Sequence, residues 1–198
     1  MTHIKNKLNL GFTLVELLIV IALLGVLAAA VLAAINPLEQ ANRSRDAKYK
    51  SDSSQLLAAI DRYFVSMDEF PWMTVDEDLT SDEELVFVSA ESESIGVCGA
   101  TCLLDGVLIT NNELKTEFRN RDFAKSSPTW DEMIYVGKEE GASASVYTCY
   151  VPKSKSERAK ATTTIAVGSS ERTEVTAAEC TAKTYASLAT SCVTCLPQ

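Results

Sequence analysis

The residues best placed to do chemistry sit at the N-terminus. Gly11-Phe12-Thr13-Leu14-Val15-Glu16 opens onto Leu17–Ile35, nineteen residues without a charged or strongly polar side chain. Glycine has no side chain and wide backbone freedom, so the chain is sterically unencumbered at Gly11. Glu16 is a carboxylate at the start of an apolar helix long enough to cross the ~30 Å bilayer core. Such a charge costs about 2.5–3.5 kcal/mol at the bilayer centre and less near its edge, which marks it as functional and in need of a partner. The plainer alternative leaves Glu16 in the headgroup layer, favouring the positive end of the helix. Leaving such a charge buried and unpaired costs about 3–5 kcal/mol.

The ten residues before Gly11 are short and basic through Lys5 and Lys7. Positive residues stay on the cytoplasmic side, so everything beyond the apolar run faces outward. A conventional signal peptide has a similar start, and Ala28-Ala29-Ala30 has the small residues of its cleavage site. Its apolar region spans only ~7–15 residues, however, and the present run is longer. A plain signal anchor matches the length but leaves Glu16 unexplained.

The stretch GFTLVELLIVIALLGVLAAAV, behind its basic leader, resembles the class III signal sequence of type IV prepilins and type II secretion pseudopilins. The resemblance implies cleavage between Gly11 and Phe12 by a prepilin peptidase, which also N-methylates Phe12. It implies that the apolar helix stays with the mature chain. It further implies that Glu16 directs assembly with identical or related pilin subunits into a helical filament, fed by an inner-membrane assembly platform. Before assembly such a chain is a single-pass protein of the cytoplasmic membrane, and afterwards part of a surface filament. In that family a glycine and a proline bracket a helical stretch that can melt. Gly25 and Pro37 are the matching residues here, although Pro37 lies later than usual, and a simple membrane-exit kink at Asn36-Pro37 is the alternative.

The rest of the composition removes other classes. The formal charge is −9, becoming −11 once Lys5 and Lys7 leave with the leader. Nucleic-acid binders need a basic stripe, so nucleic acid is not an expected partner. The only histidine is His3. The head therefore has no Ser-His-Asp or Cys-His site and no mixed Cys/His zinc site, and neither enzyme activity nor a cofactor or metal is expected. Six cysteines, Cys98, Cys102, Cys149, Cys180, Cys192 and Cys195, all follow the apolar run. Their even number on the outer side points to disulfides, not to the four-thiolate zinc site that Cys98/Cys102 and Cys192/Cys195 would permit by spacing. Many pairings are possible. Local closure of Cys98 with Cys102 and Cys192 with Cys195, leaving Cys149 with Cys180, is the preferred set. The acidic runs Asp76-Glu77-Asp78 and Asp82-Glu83-Glu84 lack the central glycine and distal glutamate of an EF-hand loop and read as solvated. Lys153, Lys155, Arg158 and Lys160 read as an exposed hairpin loop, since a DNA-contacting patch would interleave aromatics.

These residues must be positioned by three segments: a cleaved leader 1–11, a helix 12–66, and an extracytoplasmic head 67–198. The helix has a membrane-spanning half, 12–35, and an amphipathic half, 37–66. In the latter, Leu56, Leu57, Ile60, Tyr63, Phe64 and Met67 recur at helical spacing, after a charged, solvated section from Arg43 to Asp52. Pro71 ends the helix. Strands are expected at 85–88, 106–110, 133–136, 145–151 and, more weakly, 162–167. A small antiparallel sheet laid on the helix makes the fold α+β. Two further readings stay open: a monomeric membrane-anchored binding domain, and a secreted carboxylate enzyme beginning near Asn36.

Overall fold

The computed structural model describes residues 11–34, 36–75, 79–125, 128–141 and 143–197. It divides into two compact units, Met1–Gln40 and Ala41–Gln198. The acidic run 76–78 and the leader's lysines lie outside the described residues.

In the first unit, helix α1 spans Leu14–Ala34. Its apolar residues surround it on every side instead of forming a stripe, as expected of a helix solvated by lipid. Leu14–Leu32 is long and apolar enough to cross a membrane, and none of it is buried by the protein. Helix α2 spans Pro37–Met67. Its start is set by local chemistry: the Asn36 side-chain oxygen accepts the Glu39 backbone N–H at 3.2 Å. Pro37 then occupies the first helical position, where its missing N–H costs nothing.

From Ala41 onward α2 belongs with the head. One stripe of it is buried: Asp46, Tyr49, Ser53, Leu56, Ile60 and Tyr63. Leu57 and Phe64 are partly buried beside it, whereas Met67 is 46% exposed and ends the helix without joining the core. Asp68 follows with φ 61°, in the left-handed region that stops a helix.

The head's main sheet contains β1 (Leu85–Ser89), β2 (Ile134–Lys138), β3 (Val146–Tyr150) and β6 (Thr194–Leu196), all antiparallel, in the order β1-β2-β3-β6. Alternation along the strands divides two cores. Ile134, Val136 and Tyr150 pack with the buried stripe of α2, Phe70 and Trp72. Tyr135, Cys149, Cys195 and Phe87 pack on the opposite face with Ile165 and Val193. A side chain at Gly137 would strike the Phe87 ring, whose nearest atom lies 2.7 Å from a Cβ built there. A second, two-stranded sheet pairs β4 (Thr163–Ile165) with β5 (Arg172–Glu174). Val193 joins the two sheets by donating its N–H to the Thr163 carbonyl at 2.8 Å.

Two expectations need correction. The strand expected at 106–110 is a single helical turn, α3 (Val107–Thr110), with Leu108 and Ile109 buried. Gly106 decides this: its backbone lies so close to Gly96 that a Cβ would overlap the Gly96 carbonyl. The chain must turn there, and the apolar run packs as a turn with no strand partner. The hairpin loop expected at 153–160 holds another helical turn, α4 (Lys155–Arg158), capped by Ser154. A short helix α5 (Ala177–Ala182), opened by a reciprocal Thr176–Glu179 cap, precedes the C-terminal strand.

All six cysteines are paired, with a connectivity that differs in part from the expectation. Cys98–Cys102 is present, but Cys149 bonds Cys195 and Cys180 bonds Cys192. Cys192 and Cys195 run in extended chain, where residues three apart lie about 10 Å from each other and point to opposite faces. That exceeds disulfide reach. Cys195 instead lies directly opposite Cys149 in the β3–β6 register, Cα to Cα 4.0 Å.

Candidate functional site: the N-terminal segment

Gly11, Phe12 and Thr13 precede α1 in extended or irregular chain, and all are exposed, Phe12 by 91%. Among the described residues no atom beyond its chain neighbours lies within 4 Å of a Cβ built on Gly11, so none of them covers the Gly11–Phe12 bond. A protease reads an unwound backbone, and here the helix starts beyond that bond.

Thr13 starts the helix, and Glu16 completes the start. The Glu16 Oε2 accepts the Thr13 backbone N–H at 3.0 Å and the Thr13 hydroxyl at 2.8 Å. Thr13 Oγ1 in turn accepts the Glu16 N–H at 3.2 Å. This is a capping box, which satisfies helix-end donors that would otherwise be unpaired. It gives Glu16 an intramolecular role that the sequence suggested only as attraction to the helix end. Gly25 lies inside α1 without interrupting it.

The chain carries the prokaryotic N-terminal methylation motif. Residues 6–32 match the family model of that description, a segment typical of type IV pilins and pseudopilins. No curated protein and no solved structure matches the chain. The methylation motif contains Gly11, Phe12, Glu16 and Gly25, and ends before Pro37.

The head supplies buried charge that sequence periodicity assigned to solvent. Asp46 and Asp52, placed in the solvated section of the helix, are 1% and 4% exposed. Asp46 accepts the backbone N–H groups of Lys153 and Ser154 and pairs with Arg45. Arg45 also donates to the carbonyls of Val151 and Asp131 and lies over the Tyr49 ring. Asp52 pairs with Arg121. Burial pushes the Asp52 carboxyl up, and the Arg121 guanidinium offsets part of that. A signal was available: positions 46, 49, 53, 56, 60 and 63 continue the apolar spacing backwards through the charged section.

The basic stretch is largely committed within the head. Lys153 pairs with Asp131, Lys160 with Glu157, and the Arg158 guanidinium stacks 4.0 Å over the Tyr185 ring. Among the described residues no cluster of three or more His, Cys, Asp or Glu side chains is arranged to hold a metal. A surface cleft of about 730 Å³ is lined by Glu91, Cys102, Leu103, Arg119 and Lys125. The Cys102 sulfur there is bonded to Cys98, so the cleft presents no thiolate.

Proposed function

We propose that this chain is a prepilin-type structural subunit. A peptidase cuts after Gly11, Phe12 becomes the methylated N-terminus, and the apolar helix α1 first anchors the chain and then joins it to its neighbours. The observation that carries this reading is the methylation motif over residues 6–32, coinciding with an exposed Gly11–Phe12 bond and a wholly unburied apolar helix. An apolar surface of that size must be covered by lipid or by other helices. Lipid covers it in the membrane, and sibling subunits cover it in a filament. Glu16 supplies the register by meeting the amine of a neighbouring Phe12, since each charge is costly without the other. Gly25 and Pro37 give the helix its points of flexibility. The head is exported, where its three disulfides are stable.

The capping box supports a second reading, a monomeric membrane-anchored domain. Glu16 already has a partner in Thr13, so its presence near the bilayer edge does not by itself demand a neighbour.

Mass spectrometry of the mature chain's N-terminus, purified from a natural host, tests the proposal. A methylated Phe12 is expected. Intact Met1 would favour the anchored monomer, and a start beyond Ala30 would mean an ordinary signal peptide.

A further inference from the structure

In the smaller sheet, β4 has a neighbour on each side: β5 on one, and on the other the chain entering β6, through the bridge between Thr163 and Val193. Among the described residues no strand pairs with the outer side of β5. Hydrogen-bond directions fix which of its residues are left open. Thr163 gives its carbonyl to Val193, away from β5, while Thr162 accepts the Val175 N–H at 2.7 Å. Opposed residues of antiparallel strands alternate between pairs that exchange backbone bonds and pairs that do not. Thr164 lies opposite Thr173 and Thr163 opposite Glu174, so Thr173 turns its N–H and C=O towards β4. Arg172 and Glu174 turn theirs outward. Thr173 and Glu174 are exposed, and Arg172 is half-buried. The Arg172 guanidinium lies 3.4 Å over the Tyr147 ring and pairs with Glu139, which leaves it donors to spare. Glu174 makes no ion pair among the described residues.

An edge with open N–H and C=O groups is a template for another strand, and proteins commonly guard such edges with charge. The charges here do the reverse, because Arg172-Thr173-Glu174 set against its own reversed copy places opposite charges across from each other. We propose that β5 is a docking edge for β5 of a second copy of this chain, antiparallel and centred on Thr173. In that register Arg172 faces the second copy's Glu174, and Glu174 its Arg172. Each of these pairs exchanges two backbone bonds, so every open group of both edges is used. Opposite charges directly across a strand pair stabilise it, whereas like charges destabilise it. The contact closes by two-fold symmetry and cannot propagate, so it is distinct from the repeating contacts of a filament. It serves a subunit awaiting assembly and an anchored domain alike. Three residues a side fall well short of the ~1,200–2,000 Å² of a stable interface. The pair therefore forms where copies are concentrated, as chains tethered in one membrane are.

The test places Thr173→Cys in the full chain, oxidises host membranes gently and reads the dimer by non-reducing electrophoresis. In the proposed register residue 173 meets its own copy as a pair without backbone bonds, with Cα atoms about 4.5 Å apart and within disulfide reach. Glu171→Cys is the control. Glu171 is also exposed and shares the strand face of Thr173, but it would lie at least about 13 Å from its copy. Thr173→Cys should crosslink several-fold more than Glu171→Cys, and peptide mapping should place the bond between the two copies of residue 173. Adding Glu174→Arg sets like charges opposite each other and should remove most of the crosslink. Equal crosslinking at 171 and 173, none at either included, would overturn the proposal. So would a bond that runs through any of the six native cysteines, or a crosslink at 173 that Glu174→Arg leaves undiminished.

Discussion

The Asp46 carboxylate accepts the backbone N–H of Ser154 at 2.8 Å and that of Lys153 at 2.9 Å, joining the first turns of α2 to the chain leaving β3. Those N–H groups could have been capped by any nearby oxygen. A carboxylate from α2 instead fixes where the helix meets the sheet. Arg45 next to it binds the Val151 carbonyl and neutralises the buried charge.

Asp46→Ala is therefore expected to destabilise the head by about 3 kcal/mol, because it strands two backbone donors and leaves Arg45 without its partner. Asp46→Asn, which keeps one acceptor oxygen, should cost less. Urea denaturation of the oxidised protein measures both. Equal stability in Asp46→Ala would mean that water replaces the carboxylate freely.

The disulfides should contribute unequally. Cys149–Cys195 closes a separation of 46 residues and Cys98–Cys102 one of 4. In the chain-entropy account these correspond to about 4 and about 2 kcal/mol respectively. Replacing Cys149 and Cys195 together by alanine should lower the denaturation midpoint more than replacing Cys98 and Cys102. Peptide mapping without reductant should recover the Cys180–Cys192 linkage and none between Cys192 and Cys195.

How far the sequence reached depends on the range of the interaction involved. The apolar run, the basic leader and the Gly11–Glu16 spacing are local; the Thr13–Glu16 box is local too, yet it starts α1 at Leu14 and not at the expected residue 12. The stripe Leu56–Tyr63 and the strands at 85, 134 and 146 also show in their own periodicity. What was not legible depends on contacts distant in the chain. Asp46 reads as solvated until Lys153, more than a hundred residues away, is placed on it. Gly106 reads as the start of a strand until Gly96 is brought against it. Cys195 chooses Cys149 because β6 lies beside β3, a neighbour that no spacing within residues 180–195 reveals.

Alkaline pH should weaken the head. Burial pushes the hydroxyls of Tyr49 and Tyr135 up to about 12 from an ordinary value of 10.0, and raises that of Tyr150 further. Tyr49 donates to the Glu132 carbonyl at 2.9 Å and Tyr135 to that of Trp130 at 2.8 Å. The folded chain keeps these protons while the unfolded chain releases them, so this stability is intact below pH 10 and is lost as pH rises towards about 12. Lys138, pushed down from 10.5 by burial, works in the opposite sense, but its window lies below 10.5 and so largely beneath that of the tyrosines. The expected loss is on the order of 2 kcal/mol per tyrosine at the top of the window. Denaturation midpoints across alkaline pH should fall, and Tyr135→Phe should flatten the slope. A flat profile in the unmodified chain would contradict the burial of these hydroxyls.

Glu16 allows the two readings of the N-terminus to be separated by one atom pair. Glutamine caps a helix as glutamate does, accepting from Thr13 through its amide oxygen, but it carries no charge. Glu16→Gln therefore keeps the box and removes any attraction to a neighbour's ammonium, whereas Glu16→Ala removes both. If Glu16 acts in assembly through its charge, the two variants should be cut after Gly11 and held in the membrane like the parent, and both should be depleted from sheared filaments. The loss should reach about tenfold or more, the scale set by leaving one member of a buried pair alone. If the carboxylate serves only the start of α1, Glu16→Gln should enter filaments normally and Glu16→Ala alone should falter. Comparing the filament and membrane fractions of the two variants decides between charge and cap.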